Sequence, residues 1–90
     1  MANLPVMVSC PADTWTKVAT NVTAGYILKK LTTPNVYLQT WRATGVAAPT
    51  DKSEGIPIFI EDGDNKIESS FAIDVYIYPV GAAGKVRRDV

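Results

Sequence analysis

Glu61, Asp62 and Asp64 crowd three carboxylates into one short stretch. Hard cations favour clustered carboxylate oxygens, so a calcium loop is the first chemistry to weigh. Such a loop needs further ligands at fixed spacing and a closing bidentate glutamate, and this stretch has neither. A solvated hairpin tip is the preferred reading, and no metal is expected. Hydrolysis by paired carboxylates would need a deep cleft. A 90-residue chain with a single acidic turn leaves little room for one.

Cys10 is the only thiol and lies between Ser9 and Pro11. A thiol nucleophile is activated by a neighbouring base or cation, and the chain contains no histidine. The expectation for Cys10 is packing as a small hydrophobe. Gly81-Ala82-Ala83-Gly84-Lys85 looks faintly like a phosphate loop. Its spacing is wrong, and no Ser or Thr opening a helix follows, so it reads as a hairpin loop. With no group suited to moving protons near neutral pH, the chain is expected not to be an enzyme and to need no cofactor. Asn21-Val22-Thr23 matches a glycosylation sequon and is read as chance.

What remains is chemistry of contact. Trp15, Tyr26, Tyr37, Trp41, Tyr76 and Tyr78 fall largely on strand faces opposite the aliphatic stripes. They suit a two-layer core, a protein interface, or a carbohydrate-stacking platform. Core is preferred for Trp15 and Trp41. For Tyr76 and Tyr78, core and interface are weighed equally. Lys85, Arg87 and Arg88 form a small basic end, suited either to an acidic neighbour subunit or to solvent. Val6 and Val8 alternate in a proline-flanked start that could pair with its own sheet or with a neighbour. The interface residues expected are therefore Val6, Val8, Tyr76, Tyr78, Arg87 and Arg88.

The bulk numbers point the same way. A domain this small buries only roughly 60–65% of its unfolded surface. Stability of about 5 kcal/mol follows, and such chains usually need a staple. One cysteine excludes an internal disulfide, and absent histidine disfavours zinc, so association is the staple left. Nine basic and nine acidic residues give zero net charge. That argues against nucleic acid as partner, gives no hint of an anionic membrane surface, and tolerates self-association. Neither a secretory leader nor a membrane span of about 20 apolar residues is evident.

These residues must be positioned by strands. Residues 1–13 read as an N-terminal arm with a short edge strand, and 14–90 as a single β-domain. Thr14–Val22 reads as a strand, Thr23-Ala24-Gly25 as a turn, and Gly25–Leu31 as a second strand. Thr33-Pro34-Asn35 is a breaker, and Val36–Thr44 follows as a central strand. Gly45–Gly55 has loop composition. Ile56–Ile60 is a strand that lies at an edge or begins beside a bulge, because Pro57 lacks an N–H. Asp62-Gly63 marks a tight turn. Phe71–Tyr78 alternates, with Phe71, Ile73, Val75 and Ile77 inward, and Ala72, Asp74, Tyr76 and Tyr78 outward or in an interface. Gly84–Val90 is a last strand or tail. No helical periodicity is sustained. The expected fold is all-β: a small antiparallel sandwich or partly open barrel of about seven short strands with extended termini.

Five blocks together carry a resemblance. They are Trp15-x-x-Val18-Ala19-x-Asn21-Val22-Thr23-x-Gly25, Val36-Tyr37-Leu38-Gln39-Thr40, Thr44-Gly45-x-Ala47-Ala48-Pro49-Thr50-Asp51, Gly55-Ile56-Pro57 and Ile73-Asp74-Val75-Tyr76-Ile77-Tyr78. In this combination the chain resembles small structural proteins of tailed-bacteriophage virions, of the capsid decoration (cement) type. The resemblance implies a β-rich homo-oligomer, trimer or dimer. It would sit on the outer capsid surface of the virion, assembled in the host cytoplasm, and bridge major capsid protein subunits. The alternatives are another virion part (head-fibre base, collar or tail component) or a carbohydrate-binding adhesin.

Overall fold

A computed structural model describes residues 6–30, 36–58 and 65–89. Six strands form: β1 (Val6–Cys10), β2 (Thr16–Lys30), β3 (Tyr37–Ala43), β4 (Ile56–Ile58), β5 (Asn65–Pro79) and β6 (Gly84–Asp89). One 3₁₀ turn, Lys52–Glu54, is the only helical element among the described residues. The strands make one antiparallel sheet in the order β1-β6-β2-β5-β3-β4, curled into a half-barrel. The all-β, partly open barrel expected from the pattern is the observed fold. Pro5, Thr33-Pro34-Asn35 and the acidic turn Glu61–Asp64 lie outside the described residues.

The strand count is six because two expected strands are one. Thr23-Ala24-Gly25 does not turn, and β2 runs through it for 15 residues. Gly25 adopts φ 140° and Asn21 φ 57°. Pairing with β5 shifts register between Lys17 and Ala19, Ala19 and Val22, and Val22 and Ala24. These are bulges, and a bulge bends a strand instead of reversing it. The sequence signals for a turn and for a bulge overlap, since both use residues that tolerate positive φ.

Bulging also breaks the expected alternation. Val18 and Ala19 are neighbours in sequence, yet both are buried. On β5, the step from Ile73 to Glu68 matches only the step from Val22 to Ala24 on β2. Phe71 lies in that irregularity, and its N–H goes to Ser69 Oγ at 3.2 Å. Its ring is 55% exposed and not in the core as expected, because the bulge turns it outward.

The inner face of the half-barrel carries the main core. Val18, Ile27, Tyr37, Ile58, Ile67, Ile73, Val75, Ile77 and Val86 are buried there with Cys10, and Val8 and Val22 pack against them. Each fully buried aliphatic side chain contributes about 1.5–3 kcal/mol. Tyr37 crosses the interior to β6, where Gly84 leaves room for its ring.

A second layer covers the outer face. Asp74 and Tyr76, expected outward or in an interface, are buried on this face together with Leu38. The segment 44–55 folds back here, with Pro49 buried and Gly55 against Trp15 and Leu38. Arg42 pairs with Glu54. Glu54 also accepts the N–H groups of Thr50 at 2.9 Å and Asp51 at 3.1 Å, while Asp51 Oδ1 accepts Ser53 N–H at 3.0 Å. This capping box makes an ordered flap of a stretch that composition reads as loop.

Candidate functional site

Three surfaces merit attention. The first is a cleft of about 360 Å³ between the turn after β1 and the flap. Trp15 and Tyr78 meet edge to face there, with ring centroids 5.3 Å apart. Trp15 Nε1 donates to the Asp51 carbonyl at 3.3 Å, which ties the ring to the flap. Asp13 closes one side and accepts the Gly81 N–H at 3.0 Å. Aromatic rings beside carboxylates and hydroxyls suit a polar ligand with one apolar face. The cleft has no base paired to a nucleophile.

The second surface is apolar and lies at the open mouth of the half-barrel. Trp41 and Ile56 line one groove of about 190 Å³. Ile56 is 72% exposed and Trp41 43%. Trp41 was expected in the core. It stands outside because β4 pairs with Tyr37, Leu38 and Gln39 only, so no β4 residue flanks it. Phe71 is exposed separately, at the β5 bulge, where the Thr44 N–H to Ala72 carbonyl bond of 3.1 Å joins the end of β3 to β5. Sequence reasoning missed Trp41, Ile56 and Phe71 as surface residues. The three-residue length of β4 and the β5 bulge decide their exposure, and neither is readable from composition.

The third surface is the pair of sheet edges, β1 and β4. β1 was expected as an edge strand, and the strand with Pro57 at an edge or beside a bulge. β1 pairs with β6 of its own sheet in an unbroken register from Val6 opposite Arg88 to Cys10 opposite Gly84.

The six expected interface residues do not form one patch. Val6 is exposed, while Val8 is half-buried against the core. Tyr76 is enclosed by its own chain, with Lys17 Nζ 5.8 Å from its ring centre. Tyr78 is half-buried in the Trp15 cleft. Arg87 bonds to Asp89 at 3.3 Å, and Arg88 donates to the Val18 carbonyl at 3.0 Å, so both guanidiniums are already engaged within the chain. Of the six, Val6 is exposed, Tyr76 is buried, and Val8, Tyr78, Arg87 and Arg88 are half-buried.

Titratable groups are tuned for structure. Burial pushes the Cys10 thiol up to about 11, which suppresses the thiolate. Asp74 lies below the usual aspartate range, chiefly because it accepts the Asn21 N–H, with Thr44 and Lys17 adding to the effect against desolvation. Glu54 is lowered by the backbone N–H groups of Asp51 and Thr50 and by Arg42. Among the described residues no three metal-ligating side chains come together, and no helix is long and apolar enough to cross a membrane.

No known family, curated protein or solved structure matches the chain. The functional reading therefore stands on the residues and their geometry, with the resemblance noted above beside them.

Proposed function

We propose that this chain is an adhesive virion component of the capsid decoration type, a homo-oligomer that binds the outer capsid surface and bridges major capsid protein subunits. The observation that carries the adhesive part is the mouth where Ile56 and Trp41 expose large apolar side chains beside one groove, with Phe71 also exposed at the β5 bulge. Exposed Trp is among the usual hot spots of protein contacts. The five sequence blocks support the choice of a phage capsid as the partner. A protein that binds only the mature shell stabilises it by linkage, and contact with several subunits multiplies affinity through effective concentration.

The test adds purified protein to expanded, undecorated heads. Saturation at a fixed stoichiometry and a raised rupture temperature are expected, with both lost in Trp41→Ser and Phe71→Ser. Absence of binding by the intact protein overturns the proposal. Labelling confined to one vertex or to the tail would move it to another virion component.

A glycan adhesin is the second reading, favoured by the Trp15–Tyr78 cleft with Asp13, Thr50 and Asp51 on its walls. Binding on a glycan array that disappears in Tyr78→Ala would support it. An array without signal would remove it.

A further inference from the structure

We propose that β1 is the seam of a homodimer, in which two copies pair β1 against β1, antiparallel about a two-fold axis, and join their sheets. This names the self-contact of the homo-oligomer proposed above and rests on that part of the reading alone.

Among the described residues, the two outer edges of the sheet differ in kind. β4 has three residues, and Pro57 sits at its centre. Proline cannot donate a ladder hydrogen bond, and a short, proline-bearing edge is a standard guard against strand addition. β1 has five residues, Val6-Met7-Val8-Ser9-Cys10, with no proline and no charge. Its register with β6 has no bulge, so its outer row of N–H and C=O groups is regular. Val6 is 40% exposed and Met7 48%. An unguarded, regular, apolar edge is a template for another strand.

The features of this edge favour a second copy as that strand. Antiparallel self-pairing about a two-fold sets the same uncharged sequence against itself, which is the requirement of an isologous contact. The basic residues Lys85 and Arg87 stand one strand back, opposite Ser9 and Met7. Across the seam the two β6 strands would be three strand spacings apart, about 14 Å. That exceeds the Debye length of about 8 Å at physiological salt, so their repulsion is largely screened. Zero net charge adds no long-range barrier. The seam is short, so the dimer is concentration-dependent in solution and strengthened where copies are held side by side on a shell.

Sedimentation of the full chain over a concentration series tests this. The wild type should pass from monomer to dimer. Met7→Glu with Ser9→Glu places like charges along the seam on the face away from the core, while each carboxylate faces a cation of its own chain, Arg87 or Lys85. This variant should weaken association about tenfold or more, with circular dichroism and Tm matching the wild type. Trp41→Ser, at the mouth, should dimerise as the wild type does. Hydrogen exchange of the unmodified protein supplies a second readout, in which half of the β1 amides become protected as concentration rises. Dimers that persist in the folded double-glutamate variant, or β1 amides that exchange alike at every concentration while the protein associates, overturn the seam but leave a homo-oligomer. A wild type monomeric at all concentrations overturns both the seam and the homo-oligomer. Head binding is scored separately and bears only on the capsid reading.

Discussion

Asp74 Oδ1 accepts the backbone N–H of Asn21 at 3.0 Å, across the bulged pair of β2 and β5. Asn21 holds φ 57°, so its N–H is turned out of the ladder and the buried carboxylate replaces the missing strand partner. Thr44 Oγ1 donates to the same oxygen at 3.1 Å, and Lys17 Nζ lies 3.5 Å from Oδ2. One side chain therefore ties β2, β5 and the end of β3 together at the point where the sheet bends.

This network makes stability depend on acid. The folded-state pKa of Asp74 is lowered from 3.8, so its contribution is present above that value and is lost as pH falls through the lower folded value. Glu54, lowered from 4.5, acts in the same direction. Wild-type Tm should drop steeply at acid pH, and Asp74→Asn should flatten the drop, because the amide oxygen still accepts the Asn21 N–H but no longer titrates. Thermal melts across an acid series check this. An equally steep drop in Asp74→Asn would show that another group controls acid unfolding.

The bulge itself predicts a substitution pattern. Left-handed backbone costs a β-branched residue about 1–2 kcal/mol and costs glycine nothing. Asn21→Val should lose that amount in urea denaturation, while Asn21→Gly should stay within about 0.5 kcal/mol of the wild type.

Gly84 and Tyr37 make the tightest fit across the interior. A Cβ on Gly84 would occupy the position of the Tyr37 hydroxyl, and the ring is fully enclosed. Gly84→Ala should cost about 1–3 kcal/mol by overpacking. The double variant Gly84→Ala with Tyr37→Leu should recover part of the loss, and coupling in a double-mutant cycle measures it.

Gly55 plays the same part under the flap. An added Cβ would come 2.7 Å from Trp15 Cη2 and 2.8 Å from Leu38 Cβ. Gly55→Ala should push Trp15 away from the flap and break its bond to the Asp51 carbonyl. In a Trp41→Phe background, which leaves Trp15 as the only indole, the emission maximum should move to the red. An unchanged spectrum would mean that the flap can shift without Trp15.

Cys10 should be inert while the chain is folded. Its thiol is buried and raised to about 11, so alkylation at neutral pH should follow the unfolding rate and not the reagent concentration.

Much of this architecture follows from the sequence alone. Alternation in Ile73-Asp74-Val75-Tyr76-Ile77 makes β5 a strand whatever surrounds it, because side chains on a pleated backbone alternate faces. Pro57 keeps its strand to an edge or a bulge by lacking a donor. These are local properties. Whether Gly25 ends a strand or bends it depends on which partner offers hydrogen bonds beyond it, and β6 does so by pairing with Tyr26–Lys30. Whether Tyr76 and Asp74 meet water or protein depends on the flap 44–55 folding back, which the alternation of β5 cannot report. Trp41 and Phe71 became surface because β4 begins only at Ile56, opposite Gln39, and β5 bulges. Burial belongs to the whole set of neighbours a residue acquires, and only the folded chain assembles that set.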